Sequence, residues 1–269
     1  MHELGGEGPV LLLAHATGFH GLVWRPLAEH LADRYRCVSW DFRGHGDSTA
    51  PAEHHFDWHG FAADVLNVVE AVAEGRPVAA VGHSKGGAAL LLAEAERPGT
   101  FSALFCYEPI IFPVDSPMRS ILNDDSLPLV GAALRRRDTF PSREEAHANF
   151  ATKPPLNVLH PDALDAYVEH GFADQPDGSV TLKCRPADEA QMYRMGAGHD
   201  AWARLPEIRC PVAIACGEVG LPIGPDEATA MAARLPHGEA IVFPGLGHFG
   251  PLQDPPAVAH RVAAWLEGR

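Results

Sequence analysis

The stretch VGHSKGG places a serine, Ser84, between two glycines in the pattern G-x-S-x-G. An apolar run precedes this pattern and a helical pattern follows it, which is the strand-to-helix context of a nucleophile on a sharp turn. Gly82 and Gly86 allow the backbone to turn tightly, and the helix N-terminus directs amide groups at developing negative charge. The pattern therefore predicts that Ser84 is a nucleophile. The alternative is a glycine-rich turn with an incidental serine.

A serine hydroxyl attacks poorly unless a neighbouring base removes its proton. His248 lies in the segment FPGLGHFGPLQDP, which follows the last predicted strand and places glycines around the histidine. In an open parallel sheet such a loop lies at the carboxyl edge of the strands, where ligands gather. The sequence therefore predicts His248 as the base, with a surface loop histidine as the alternative.

Short apolar runs alternate with helical patterns, which predicts parallel strands joined by crossover helices. The predicted strands are Val10–His15, Cys37–Phe42, Val78–His83, Ala103–Glu108, Pro211–Cys216 and Glu239–Pro244. Between residues 112 and 205 this rhythm gives way to short helices, several prolines and one tight reversal at QPDGSVTLKC. We therefore predict an α/β fold with a mostly parallel central sheet and helices on both faces. Residues 1–111 and 206–269 form the predicted core, and residues 112–205 form an inserted, mainly helical cap.

Composition limits the classes of partner. The 269 residues include 21 Lys plus Arg and 35 Asp plus Glu, a formal net charge of −14 that would repel a nucleic-acid backbone. No apolar run approaches the roughly 20 residues that span a bilayer, and the first residues lack the pattern of a signal peptide. The five cysteines are scattered without a CxxC pair, and the histidines show no metal-site spacing. We therefore expect a cytoplasmic protein that acts on a small molecule, without nucleic acid, membrane or metal.

Four segments, in this order and spacing, resemble the α/β-hydrolase fold family. They are LLAHATG (Leu12–Gly18), DFRGHGDS (Asp41–Ser48), GHSKG (Gly82–Gly86) and GLGHFGP (Gly245–Pro251). The resemblance covers nearly the whole chain outside the cap and implies a serine hydrolase that needs no cofactor. Such an enzyme cleaves an ester, lactone or thioester through an acyl-enzyme. The motifs leave open C–C bond hydrolysis, perhydrolysis, acyl transfer, or a binding protein that hardly turns over.

The resemblance also implies an oxyanion hole made of two backbone N–H groups. One belongs to the residue after the nucleophile, which is Lys85. The other comes from the loop after the first long strand, where Thr17 is the predicted donor by position. Gly18 and Phe19 are its near competitors.

The carboxylate that orients the histidine is harder to place. Relatives usually carry an aspartate after the penultimate strand, but here Gly220 stands at that position. Glu218 is nearby but about two positions early, and Asp226 is better explained as an acidic residue near a helix N-terminus. Glu108 ends the strand LFCYEPI at the same edge of the sheet, and a carboxylate in such apolar surroundings needs a buried partner. The resemblance extends to members that carry a glutamate here, so Glu108 is the predicted acid and Glu218 the alternative.

Three further features have predicted structural roles. The segment DFRGHGDS is expected to form an Asp-to-Arg hydrogen-bonded turn beside the site. His83 is expected to be structural and not a second base, because neighbouring residues of a strand point to opposite sides. Lys85 is expected to pack its stem while its ammonium reaches water, and the alternative is that the ammonium receives an anionic substrate or a carboxylate of the cap.

The start of the chain suggests a shortened sheet edge. Only MHELGGEG precedes Val10, whereas related folds begin with a hairpin of about two strands. We therefore expect the N-terminal antiparallel edge to be truncated to a stub. Such an exposed edge offers a surface that a second subunit of a homodimer could cover.

Overall fold

Seven strands form one central sheet in the computed structural model, which describes residues 1–117, 127–196, 198–219 and 222–269. The strands of this sheet are β1 (His2–Gly5), β2 (Val10–Ala14), β3 (Arg36–Ser39), β4 (Val78–His83), β5 (Phe101–Tyr107), β9 (Val212–Gly217) and β10 (Gly238–Phe243). Their order across the sheet is β1-β3-β2-β4-β5-β9-β10, and every pairing except β1 with β3 is parallel. This arrangement confirms the predicted α/β fold with a mostly parallel sheet.

Helices connect and cover these strands. Among the described residues, the α-helices with defined bounds are α1 (Arg25–Glu29), α2 (Trp58–Val72), α3 (Lys85–Glu96), α4 (Pro128–Leu134), α5 (Arg143–Thr152), α6 (Pro161–Gly171), α7 (Pro186–Arg194), α8 (Ala201–Arg204), α9 (Pro225–Ala232), α10 (Gly250–Gln253) and α11 (Pro255–Leu266). Short 3-10 helices lie at Gly21–Trp24, Ala52–His54, Leu156–Val158 and Leu205–Glu207. Within the described ranges, no helix combines the length and the apolar character that a bilayer crossing demands.

The central sheet has an apolar core on each face, and successive side chains of a strand contribute to the two cores in turn. Leu11 and Leu13 of β2 are fully buried in one apolar cluster, together with Val262 of α11. Leu12 is fully buried in the other cluster, together with Val65 of α2. Successive side chains of a strand point to opposite faces, so a strand covered on both sides is a near-continuous apolar run. This is why VLLLA predicts a central strand.

The chain between β5 and β9 leaves the sheet and forms α4 to α8 with a small second sheet. This sheet contains β6 (Thr139–Phe140), β7 (Phe172–Asp174) and β8 (Val180–Leu182), in the antiparallel order β6-β8-β7. The reversal predicted at QPDGSVTLKC is the β7–β8 hairpin, in which Gln175 N–H donates to Ser179 O at 2.9 Å. The sequence reasoning missed β6, which is only two residues long. The cap boundaries at 112 and 205 stay a prediction.

The antiparallel edge is short, as expected. It is the four-residue strand β1, which pairs with β3 and has an irregular register between Glu3 and Gly5. The covering of this edge by a second subunit stays a prediction.

The loop that follows β3 differs from the prediction. Asp41 does not form the expected turn with Arg43, whose guanidinium instead pairs with Asp64 at 2.7 Å. The Asp41 carboxylate accepts hydrogen bonds from the N–H groups of Gly21 at 2.7 Å and Asp47 at 2.9 Å, and from His2 Nε2 at 3.0 Å. The predicted Arg43 partner was wrong because two of these donors, Gly21 N–H and His2 Nε2, come from segments far away in sequence that no local spacing reveals.

These donors make Asp41 a pH-dependent support of the fold. Burial by itself would raise the pKa of Asp41, but the three hydrogen bonds and the nearby His15 outweigh burial and lower the pKa well below its ordinary value. A carboxylate with a lowered folded-state pKa stabilises the fold above its unfolded pKa, and that stabilisation is lost as the pH falls through the folded-state pKa.

We therefore expect Asp41→Asn to lower the free energy of unfolding by about 2–3 kcal/mol at pH 7 and by less below about pH 4. Urea denaturation at both pH values measures the difference. The control is Asp47→Asn, because the Asp47 carboxylate is exposed and pairs only with Lys183 among the described side chains. A loss of equal size at both pH values would contradict the assignment.

Candidate active site

Ser84 stands on a strained turn between β4 and α3. Its φ of 54° and ψ of −115° are rare for a residue with a side chain, and its N–H donates to Tyr107 O at 2.9 Å. A Cβ at Gly86 would lie 2.2 Å from Ala14 O, and a Cβ at Gly82 would lie 2.6 Å from the Gly87 Cα. Neither glycine can therefore be replaced without moving backbone. The G-x-S-x-G spacing is thus a consequence of how closely α3 approaches the sheet.

Glu108 and His248 meet at the carboxyl edge of the sheet. His248 Nδ1 lies 2.6 Å from Glu108 Oε2, and Glu108 Oε1 accepts a hydrogen bond from Gly217 N–H at 3.0 Å. Glu108 follows β5, is 1% exposed and has a φ of 44°. Because a carboxylate only accepts, Nδ1 carries the proton and leaves His248 Nε2 as a lone-pair acceptor. Their catalytic roles stay predictions, but the structure pairs these two groups.

A set of hydrogen bonds fixes the backbone around His248. His83 Nε2 donates to His248 O at 2.7 Å, and Tyr107 Oη donates to Gly247 O at 2.8 Å. Gly247 N–H donates to Gln253 Oε1 at 3.0 Å. Burial, together with the nearby His248, lowers the pKa of His83 well below its ordinary value, so this imidazole is neutral. His83 therefore has the structural position expected of it. Sequence reasoning missed Tyr107 and Gln253, which no local motif singles out.

The alternative acid lies elsewhere. The exposed carboxylate of Glu218 accepts a hydrogen bond from Gly245 N–H at 3.0 Å and so supports the turn before His248. Asp226 lies in the first turn of α9, as expected. Gly220 lies outside the described residues. Of Glu108, Glu218 and Asp226, Glu108 is the carboxylate that is hydrogen-bonded to His248.

The loop after β2 distinguishes the three candidate donors for an oxyanion. Gly18 N–H donates to His45 Nε2 at 3.2 Å, and Phe19 N–H donates to Ala16 O at 3.3 Å. In the part of the chain that the structure describes, no acceptor takes the Thr17 N–H. Lys85 is the first residue of α3, and the N–H of such a residue has no partner within its own helix. Of the four candidates, Thr17 and Lys85 are thus the ones whose N–H groups have no acceptor among the described residues.

Two buried histidines hold this loop. His15 Nδ1 donates to Ala16 O at 2.7 Å, and its Nε2 accepts from Phe42 N–H at 3.0 Å. His45 Nδ1 donates to Arg43 O at 3.1 Å, which leaves Nε2 as the acceptor for Gly18 N–H. Burial, followed by the nearby Lys85, lowers the pKa of both histidines well below the ordinary value. Both are therefore neutral hydrogen-bonding groups, and the sequence reasoning assigned neither of them a role.

The side chain of Lys85 corrects another expectation. Its ammonium does not reach water: the residue is 2% exposed, and Nζ lies 3.3 Å from His45 Nε2. Nζ also lies 4.4 Å and 4.6 Å from the ring centres of Phe42 and Phe61. Burial lowers the pKa of Lys85 to about 7. The expectation was wrong because α3 begins under the aromatic loop after β3, a contact between segments far apart in sequence.

A cavity of about 700 Å³ connects these groups. Ser84, Lys85, His248 and Thr17 line it from the core, and α4 to α7 with their connections line the opposite side. Its apolar lining includes Phe19, Trp58, Phe61, Ile110, Leu127, Leu129, Phe150, Leu156, Met192 and Phe249. A mainly apolar, partly enclosed cavity beside a serine and a histidine is typical of a small-molecule site.

Comparison with known proteins identifies the family of the chain. The model of the alpha/beta hydrolase family matches residues 11–261. The chain belongs to this family. The prediction of a hydrolase of the α/β fold is thereby confirmed at the level of the family.

Individual relatives are more distant. A 2-(acetamidomethylene)succinate hydrolase of Mesorhizobium japonicum is 28% identical over 255 residues, which cover 91% of this chain and 83% of that protein. The crystal structure of an E-2-(acetamidomethylene)succinate hydrolase has a TM-score of 0.83 at 23% identity and covers 98% of this chain and 93% of that one. A malate-bound esterase of Thermogutta terrifontis has a TM-score of 0.72 at 21% identity, covering 98% and 91%. These two structural likenesses establish the fold.

The buried Lys85 leads to a prediction about stability. Because its folded-state pKa of about 7 lies below the ordinary lysine value, the unfolded chain holds a proton that the folded chain lacks between about pH 7 and pH 10.5. Wild-type stability from this group therefore falls as the pH is lowered through that window and levels off below it.

Lys85→Met keeps the length of the side chain. We expect its stability relative to the wild type to increase as the pH is lowered from about 10 to about 7. The gain is at most about 4 kcal/mol. The difference in the free energy of unfolding, measured in urea at both pH values, tests this. A difference that does not change with pH would show that the ammonium is not desolvated in the folded protein.

Proposed function

We propose that the protein is a serine hydrolase that cleaves a carboxylic ester, a lactone or a thioester. The observation that carries the proposal is the 2.6 Å pairing of His248 Nδ1 with the buried Glu108, beside a cavity that Ser84 also lines. This pairing leaves Nε2 of the imidazole as the basic nitrogen. Nucleophile, base and acid are then Ser84, His248 and Glu108.

In the proposed mechanism, His248 Nε2 takes the Ser84 Oγ proton as the oxygen attacks the acyl carbon. The N–H groups of Thr17 and Lys85 stabilise the oxyanion of the tetrahedral intermediate. His248 then gives the proton to the leaving group, and an acyl-enzyme remains. Water, activated by the same imidazole, releases the acid. Glu108 holds the tautomer and stabilises the imidazolium, so no cofactor is required.

Within this proposal, residues 112–205 act as a cap over a core of residues 1–111 and 206–269. The support is that the cavity is lined from both sides, by Ser84 and His248 below and by side chains such as Phe150 and Tyr167 above. Enclosing the acyl group limits its contact with water and strengthens the electrostatic interactions in the site. The cap then determines which substrate fits.

A second candidate comes from the relative that covers most of the chain. That protein is named for the hydrolysis of 2-(acetamidomethylene)succinate, and it is 28% identical over 91% of this chain. Hydrolysis of an acetamido-bearing succinate by the same three residues is therefore the alternative to ester cleavage. Incubation of the protein with that compound and with p-nitrophenyl esters, followed by product analysis, separates the two.

A fluorophosphonate probe tests the nucleophile directly. We expect stoichiometric labelling of the native protein and none of Ser84→Ala, because only an activated serine attacks the phosphorus. Intact-mass spectrometry measures the adduct. A native protein that resists the probe, while remaining folded by circular dichroism, would favour a binding protein of the same fold over an enzyme.

The choice of acid has its own test. Glu108→Gln is expected to lower kcat by about 10³- to 10⁴-fold with little change in KM, because the amide no longer secures the correct tautomer or the imidazolium. Glu218→Gln is the matched control and should stay close to the wild-type rate, since its carboxylate supports only the turn at Gly245. Steady-state rates on the best p-nitrophenyl ester provide the readout. The reverse pattern would reassign the acid to Glu218.

A further inference from the structure

The cavity has the opposite charge balance to the chain as a whole. The protein has a formal net charge of −14. Among the described residues that line the cavity, however, four are basic and one is acidic: Lys85, Arg136, Arg137 and Lys153 against Glu189. A cleft lined by one sign of charge within apolar walls concentrates ligands of the opposite sign.

Glu189, the acidic residue among the described residues that line the cavity, is already paired. Arg136 Nη1 donates to both oxygens of Glu189, at 3.1 Å and 2.9 Å, and Tyr193 Oη donates to Glu189 Oε1 at 3.0 Å. Arg136 also donates to the hydroxyl of Tyr167. The Arg136–Glu189 pair is neutral as a whole, so the other basic lining residues leave the cavity with a positive charge balance. The pair also holds the cap close to Gly18, where an added Cβ would lie 2.6 Å from Glu189 Oε1.

Two of the other cations are also engaged. Lys85 is buried against His45 and two aromatic rings. Arg137 pairs with Glu145 at 2.8 Å, donates to Thr139 O at 2.9 Å and lies over a phenylalanine ring. The Arg137 guanidinium and the Lys85 ammonium cannot bind a ligand without losing these partners.

Lys153 differs from these three. Its ammonium donates to Asn149 Oδ1 at 2.6 Å, and within the described ranges it forms no ion pair with a carboxylate. Asn149 belongs to α5, and Lys153 follows the last residue of that helix, so the two side chains lie one turn apart. Both line the cavity, and Lys153 is exposed to solvent. An ammonium has three N–H donors, so two remain. The hydrogen bond also fixes the Asn149 carboxamide with its oxygen toward Lys153, which leaves its NH₂ group as a further donor.

We propose that Lys153 and Asn149 form a carboxylate-binding subsite of the cavity. The substrate would then be a carboxylic acid derivative with two functions: a scissile acyl group at Ser84 and a free carboxylate at the cap. A subsite that offers only hydrogen-bond donors suits an anion. The apolar lining between Ser84 and this subsite suits the hydrocarbon part of such a substrate. This inference rests on the proposed function for its account of turnover, but carboxylate binding by itself does not require turnover.

Matched ester pairs test the subsite in the intact protein. The mono-p-nitrophenyl esters of adipic and suberic acid carry a free terminal carboxylate, and their methyl esters do not. We expect the wild type to hydrolyse at least one free acid with a kcat/KM about 10-fold above that of its methyl ester. In Lys153→Met the ratio of kcat/KM on the free acid to kcat/KM on the methyl ester should fall to about 1, and Asn149→Ala should reduce this ratio.

Lys183→Met is the control, because Lys183 pairs with Asp47 at 2.6 Å and is not a lining residue of the cavity. It should keep the full preference. Equal rates on acid and methyl ester in the wild type, or an undiminished preference in Lys153→Met, would overturn the subsite.

A binding measurement separates failure of the subsite from failure of the proposed function. Isothermal titration calorimetry of Ser84→Ala with adipate or suberate should show binding. The affinity should be about 10-fold weaker in the double variant that also carries Lys153→Met. Binding with this dependence but without ester turnover in the wild type would support the subsite and overturn the hydrolase proposal alone. Absence of dicarboxylate binding to Ser84→Ala would overturn the subsite, whatever the rates on neutral esters.

Discussion

The arrangement of the site depends on one buried carboxylate that has a donor for each of its oxygens. An ionised carboxylate removed from water costs several kcal/mol unless hydrogen bonds replace its hydration. Glu108 meets this requirement with Gly217 N–H at the end of β9 and with His248 Nδ1 in the loop after β10. One side chain thus connects the carboxyl ends of three strands that are neighbours in the sheet. Because these strands are parallel, their ends lie at a single edge, and His248 and Ser84 line the same cavity there.

Two buried histidines hold the loops on the other side of Ser84. His15 and His45 are fully buried and neutral; each bonds two backbone groups, and His45 also lies within hydrogen-bond distance of Lys85 Nζ. A neutral imidazole can donate at one nitrogen and accept at the other, so it joins two loops as a peptide group would. The site therefore has one half built around the Glu108 carboxylate and another half of hydrogen-bond donors and acceptors around Thr17 and Lys85. The second half is the one expected to face a developing oxyanion.

The sequence was sufficient for the features that depend on local spacing. Apolar runs and turns predicted the parallel sheet, and the G-x-S-x-G turn placed Ser84 at its edge. Glu108 was predicted because an acidic residue that ends an apolar strand needs a partner, and the structure supplies His248. The direction of the Asp41 and Lys85 side chains was not predictable in this way. Asp41 takes its donors from β1 and from Gly21, and Lys85 is covered by Phe42 and Phe61. These neighbours are brought together only by the packing of loops, for which a single sequence has no periodic signal.

Two non-glycine residues at the site, Ser84 and Glu108, have a positive φ, and this has a consequence for heat resistance. Each such backbone costs on the order of 1–3 kcal/mol, and a glycine would relieve most of it. Both positions nevertheless need a side chain if they are to act on substrate. The protein therefore unfolds at a lower temperature than its core alone would permit. Selection for thermal tolerance would have to strengthen other regions, such as the short β1 edge, and leave these two positions as they are.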